Sequence, residues 1–197
     1  MNAKIGAITN PSIFLRLNAS GTEPREFAWD EFNARYAPII ANFARHLGSK
    51  RQDLDDVVQD VMLGFFLKSP TFVYDPSKGR FRRYLKVCTY HALQKRFGKS
   101  AKVLGKTLDA VDPESVAIEQ IWNDAWEQQL LSRAIEEIRR EMGHTRSFAA
   151  FELHVVRDEP AADVAQKLGL HVKSVYRAKD QFTRLLKTRL AAMRNED

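Results

Sequence analysis

Apolar residues Phe27, Trp29, Phe32, Tyr36, Ile39, Ile40, Phe43 and Leu47 recur mostly at three- and four-residue steps after a polar lead-in holding Gly21 and Pro24. That spacing puts them on one face of an amphipathic helix ending near Gly48. Leu54, Val57, Val58, Val61, Met62, Phe65 and Phe66 follow at i, i+3, i+4, i+7, i+8, i+11 and i+12. They predict a second helix, with Asp53 placed to cap it and an acidic first turn. Pro70, Asp75, Pro76 and Gly79 mark a loop over residues 69–79, and a third helix is expected from about Arg80 to Phe97. The acidic stretch Val111–Asp112–Pro113–Glu114 reads as a linker. Helical periodicity resumes over Trp122 to Met142, with Gly143 as C-cap, and a shorter helix covers Ser147 to Val156. Glu159–Pro160 breaks it before Ala161 to Leu168 and a long last helix from about His171 to Met193. No segment alternates as a strand. The expected fold is all-α: a lead-in over 1–24, a helical domain over 25–100, a linker over 101–128 and a second helical domain over 129–197.

Composition narrows the class. The 197 residues are 44% hydrophobic and 28% charged, enough for one domain or two small ones with their own cores. Collagen-like, disordered and disulfide-scaffold chains are excluded. The single cysteine, Cys88, forms no internal disulfide, and no CxxC or Cys/His cluster supports a structural zinc. The longest apolar run, Val61 to Leu67, falls far short of the ~20 residues of a membrane span. Residues 1–18 lack the long apolar region of a signal peptide. A reducing, cytoplasmic setting is expected.

Charge is segregated more than its net value of +6 suggests. Lys78 to Lys106 holds ten Lys and Arg and no acid, whereas Asp109 to Ser132 holds six acids and no Lys or Arg. Lys167 to Arg194 is basic again, eight cations against Asp180. Blocks of like charge repel, so they point to a polyanionic partner such as nucleic acid, with a merely solvated surface as the alternative.

Two constellations fit that partner. Ala165, Gly169 and Val175, flanked by Val164, Leu168, Leu170 and Val172, occupy helix-turn-helix positions. The outward face of the second helix then presents Lys173, Ser174, Arg177, Lys179, Gln181, Arg184 and Lys187, which suit a major groove. An ordinary helical hairpin with a basic surface is the plainer alternative. Upstream, cations from Lys78 to Lys106 interleave with Phe81, Tyr84, Tyr90, His91 and Phe97, after a loop bearing Phe72, Val73 and Tyr74. Rings beside cations offer single-stranded bases a stacking platform and a phosphate-neutralising groove. Phe81, Leu85, Val87 and Cys88 are expected to pack inward, leaving Tyr90, His91 and the loop to the bases. Asp55, Asp56, Gln59 and Asp60 form a polar side of the second helix, better suited to docking a basic partner surface than to Mg²⁺, since no third ligand set is near. The histidines show no HxxxH or HExxH spacing. No metal, cofactor or catalytic group is expected, and the chain is not read as an enzyme.

The order of these pieces resembles one family. The run Asp55–Asp56–Val57–Val58–Gln59–Asp60–Val61, the loop from Phe72 to Arg82, a basic helix, an acidic linker and a C-terminal helix-turn-helix look like an extracytoplasmic-function (ECF) sigma factor. Thr9–Ser12–Leu15–Leu17, Trp29–Phe32–Tyr36–Pro38 and Ser174–Val175–Tyr176–Arg177–Ala178–Lys179 are similar to a planctomycete-type subgroup. The resemblance implies that Asp55, Asp56, Gln59 and Asp60 contact the clamp helices of core RNA polymerase. It implies that Phe72, Tyr74, Lys78, Arg80, Arg82, Arg83, Lys86, Tyr90, His91, Lys95 and Arg96 hold the minus-ten element of promoter DNA. The linker would thread toward the RNA exit path, and Lys173, Ser174, Arg177, Lys179, Gln181, Arg184 and Lys187 would meet the minus-35 element. The polymerase flap and an anti-sigma protein are further implied partners. His91 stands where relatives often have Asn, and Val103 to Asp109 is longer and more basic than a minimal linker. Two other classes remain open: a stand-alone helix-turn-helix repressor or activator, and a nucleic-acid-processing enzyme.

Overall fold

The computed structural model describes residues 11–17, 22–69, 81–99, 101–103 and 105–196. Helices form where apolar residues recur every three or four positions: α2 (Thr22–His46), α3 (Leu54–Lys68), α4 (Phe81–Phe97), α5 (Val116–Met142), α6 (Arg146–Phe151), α7 (Ala161–Leu168) and α8 (Val172–Glu196). The fold is all-α apart from a small ladder.

Five details differ from the sequence reading. A short helix, α1 (Pro11–Leu17), lies in the stretch expected as polar lead-in, because Ile13, Phe14 and Leu17 are buried. Asp53 does not cap α3: it closes a 3-10 turn, Arg51–Asp53, with φ −97° and ψ −8°, and its side chain makes no capping bond. Residues 102–107 pair as a two-stranded antiparallel ladder, Lys102–Val103 (β1) on Lys106–Thr107 (β2), across Gly105 at φ +75°. Helix α5 begins six residues before Trp122, since Ile118 is buried as well. Beyond α6 the chain continues as a π turn, Glu152–Val156.

Two compact units result, Met1–Gln129 with Glu196–Asp197, and Leu130–Asn195, the division falling within α5. In the first, α2 packs against α1, α3 and α4. The Phe32 and Phe65 rings stack at 4.8 Å, with Phe81 5.3 Å from Phe65 and Phe14 4.8 Å from Phe81. Each such aromatic pair adds about 0.5–1.5 kcal/mol beyond its burial. After α4 the chain folds back on itself. Asp109 N–H donates to the Gly98 carbonyl (3.1 Å) and Leu108 N–H to that of Ala101 (3.0 Å). A Cβ at Gly98 would stand 2.6 Å from the Gln94 carbonyl oxygen and collide with the Asp109 carboxylate, so this approach requires glycine. Trp122 and Trp126 of α5 are buried in the same unit, with Trp122 4.9 Å from Phe43 and Trp126 6.1 Å from Tyr36.

The second unit has its own core, in which Phe148 and Phe151 of α6 and Phe182 of α8 lie within 5.3 to 6.1 Å of one another. Val164 and Ala165 of α7 and Val175 and Ala178 of α8 complete it. Thr145 caps α6, its hydroxyl accepting from Phe148 N–H at 3.1 Å. Gly169 takes φ +63° between α7 and α8, and Leu170 N–H donates to the Ala165 carbonyl (2.9 Å). A residue with a Cβ would pay about 1 kcal/mol there. Among the described residues, no helix is long and apolar enough to cross a membrane.

Candidate nucleic-acid interface

Helix α4 carries cations because its sequence supplies them on every turn; which ones face solvent depends on what covers them. Phe81, Leu85, Thr89 and Leu93 turn inward at helical spacing. Lys86 and Tyr90 share that side and are buried with them, Lys86 at 3% exposure. The Lys86 ammonium pairs with Glu119 at the start of α5. One turn earlier, Arg82 donates to the Asn123 side chain and lies over the Trp126 ring, 5.0 Å from its centre. Beside it, Arg83 meets the Glu114 carboxylate at 2.9 Å. That hydrogen bond and the charge of Glu114 push the Arg83 guanidinium pKa above its usual value.

Tyr90 is not an open stacking ring, as the sequence reading had it. It is fully buried, its hydroxyl 2.9 Å from the Leu108 carbonyl and 2.6 Å from that of Val111. Burial and then the nearby Asp112 and Asp109 raise the phenol's pKa, so it keeps its proton and donates it to one carbonyl or the other. Tyr90 thereby fastens the segment after α4. His91 and Lys95 are exposed. Arg96 lies across two acids of α3, 3.2 Å from Asp56 and 3.6 Å from Asp60. Phe72, Tyr74, Lys78 and Arg80 lie outside the described residues.

On α3, Asp55, Asp56, Gln59 and Asp60 are all exposed, as an outward polar face requires. Their surroundings differ: Asp56 and Asp60 are engaged by Arg96, whereas Asp55 and Gln59 border a groove between α2 and α3. Its apolar lining comes from Trp29, Met62, Leu63 and Phe66, with Leu63 53% exposed. The Trp29 indole N–H is buried there with no acceptor among the described residues. The sequence reading missed this groove. Its signal was present: from Val57 to Leu67 α3 carries apolar residues on more than one stripe, and a helix packed on one side has no use for the surplus.

In the second unit α8 shows the opposite of α4. Lys173, Arg177, Lys179, Gln181, Arg184 and Lys187 are exposed and Ser174 is half-buried, while Val175, Ala178 and Phe182 point into the core. Val172, expected on the inward side, is 41% exposed beside Tyr176. The Tyr176 ring is met edge-on by His154 of the π turn at 5.6 Å. Among the described residues, no group of three or more His, Cys, Asp or Glu could hold a metal ion.

The geometry of the first unit defines a helical module with one apolar-acidic groove and one basic helix. Residues 33–103, from within α2 through β1, match the family model described as Sigma-70 region 2. That span is a little over a third of the chain. No curated protein matches. A solved structure described as CnrH in complex with the cytosolic domain of CnrY aligns with 95% of this chain and 98% of that one, at 19% identity and a TM-score of 0.37.

Proposed function

We propose that the chain is a sigma factor, which binds bacterial core RNA polymerase and directs promoter recognition, melting and transcription initiation. The observation that carries this reading is the Sigma-70 region 2 match over residues 33–103. The order of motifs read from the sequence supports the two-domain ECF kind and its planctomycete-type subgroup. In this reading the protein works in the cytoplasm without a catalytic group, and an anti-sigma protein is a further candidate partner.

Each surface has a role. The groove of Trp29, Met62, Leu63 and Phe66, edged by Asp55 and Gln59, receives the clamp helices of the polymerase: an apolar floor supplies burial, and carboxylates at the rim select a basic partner. Asp56 and Asp60 contribute through Arg96 as a mixed-charge rim. Helix α4, with Phe72, Tyr74, Lys78 and Arg80 ahead of it in the sequence, holds the minus-ten strand. The α7–α8 pair is a helix-turn-helix, with α8 reading the minus-35 element.

Run-off transcription with and without core polymerase tests the reading. The protein alone should bind duplex DNA weakly and give promoter-specific transcripts only with core. Equal sequence-specific binding in both conditions would favour a stand-alone repressor or activator. Leu63→Arg should abolish co-purification with core, because it buries an unpaired charge at a cost of several kcal/mol, while circular dichroism stays unchanged. Normal co-purification of the folded variant would remove the groove from the interface.

A further inference from the structure

The three cations nearest the start of α4 are not free for a phosphate. Lys86 pairs with Glu119 and Arg82 with Asn123, so a step of four residues up α5 matches a step of four down α4. Two antiparallel helices thus meet in successive rungs. Glu114, just before α5, adds the pair with Arg83, and Asp112 steadies it by accepting from Glu114 N–H at 2.8 Å. Tyr90 holds the carbonyls of Leu108 and Val111 that lead into this stretch. The same stretch belongs to the block from Asp109 to Ser132 that has six acids and no Lys or Arg.

We infer that the acidic side chains of the stretch from Asp109 to Asn123 form an intramolecular strap that covers the nucleic-acid surface of α4 and must give way to the DNA strand. The inference rests on the proposed reading of α4 as the surface for the melted strand. The chemistry of the strap matches that of its competitor: its carboxylate oxygens meet the same guanidinium and ammonium groups that backbone phosphates would seek. The rungs differ in how easily they open. The Arg83 and Glu114 side chains are 66% and 57% exposed, so water and salt reach them, whereas the Lys86 side chain is 4% exposed. A phosphate therefore takes Arg83 first, and Lys86 follows only when the half-exposed Glu119 side chain swings away.

The test is fluorescence anisotropy of a labelled single-stranded 20-mer with the full chain, comparing wild type, Glu114→Gln, Glu114→Gln/Glu119→Gln and Glu26→Gln. The last removes the same charge from an exposed site on α2. Binding should tighten roughly threefold for Glu114→Gln and tenfold for the double variant near 0.1 M salt, as one and two competing carboxylates are lost. The salt dependence should steepen by about 0.7 in log–log slope for each cation freed to meet a phosphate. Gains no larger than that of Glu26→Gln would overturn the strap. If Glu119→Gln unfolds the first unit, Glu114→Gln alone decides, because its pair is exposed. Failure of the strap and of the sigma reading are separable. Normal run-off with equal oligonucleotide affinities sinks the strap alone, whereas tighter binding by the variants without any run-off sinks the sigma reading and leaves the strap standing.

Discussion

On α4, Arg82, Arg83 and Lys86 each face a polar or acidic side chain from residues 114–123, whereas on α8 Lys173, Arg177, Lys179, Arg184 and Lys187 have no ion-pair partner among the described residues. Both helices are strongly basic in sequence. The difference lies in where the acids of each unit are spent. In the second unit Glu152 holds Arg139 and Arg157, Glu159 holds Lys167, and Glu137 and Glu141 hold Arg189. Those pairs leave the outer face of α8 clear. In the first unit Glu114 and Glu119 follow α4 in sequence and return to it, and Asp56 and Asp60 of α3 reach Arg96 from before it. A basic helix is therefore a binding surface only to the extent that its own chain leaves it uncovered.

The comparison breaks first, if it breaks, at Arg177. Arg177→Ala should relax discrimination at one or two minus-35 positions at a cost of about 1–3 kcal/mol, because a planar Arg fork suits a guanine edge. Lys187→Ala should instead weaken all promoters alike and reduce the salt slope by about one unit. A promoter library transcribed with wild type and both variants separates the two; a uniform loss from Arg177→Ala would take that residue out of the groove.

A somewhat smaller effect is expected at the covered pair of α4. Glu119→Ala strands the buried Lys86 ammonium and should cost about 2 kcal/mol, below the usual loss for a buried pair because Glu119 itself is half-exposed. Lys86→Met keeps the volume and removes the charge, so its cost should stay within about 1 kcal/mol. Urea denaturation followed by tryptophan emission reads both, and equal losses would mean that the charge is not what matters at this site.

Arg189 sharpens the contrast with the smallest change. On α8 it is held by acids, 2.6 Å from Glu141 and 3.7 Å from Glu137. Arg189→Ala should cost only about 0.5 kcal/mol of stability, as exposed ion pairs do, and leave minus-35 preference untouched. Altered preference would show that ion pairing on α8 does not mark the side away from DNA.

Much of the fold was legible because packing repeats along a helix and leaves its period in the sequence. Leu54, Val57, Val61 and Phe65 are buried as their spacing required. Helix α1 was not legible, since a seven-residue helix with Ile13, Phe14 and Leu17 inward offers too few turns to show a period. Asp53 had the right chemistry for a cap, but a preceding 3-10 turn put its backbone in a helical conformation that turns the side chain away from the first amides. Tyr90 is more instructive. Its burial follows from the same spacing as Phe81, Leu85 and Leu93, yet its place among cations suggested an open ring. Period outweighed neighbourhood. The pairing of Arg82, Arg83 and Lys86 was beyond the sequence, since their partners lie 31 to 41 residues away and only the folded chain sets that register.

The placement of the indoles gives the molecule a built-in optical label. All three tryptophans, Trp29, Trp122 and Trp126, fall in the first unit, and the second unit contains none. Emission excited at the red edge of the tryptophan band therefore reports on the first unit alone, while far-ultraviolet ellipticity sums both. Trp126 lies under the Arg82 guanidinium and Trp29 borders the groove of α2 and α3. A quencher or a shift in emission maximum would thus register events at either surface without any added dye, and a melting curve recorded both ways would separate the unfolding of one unit from that of the other.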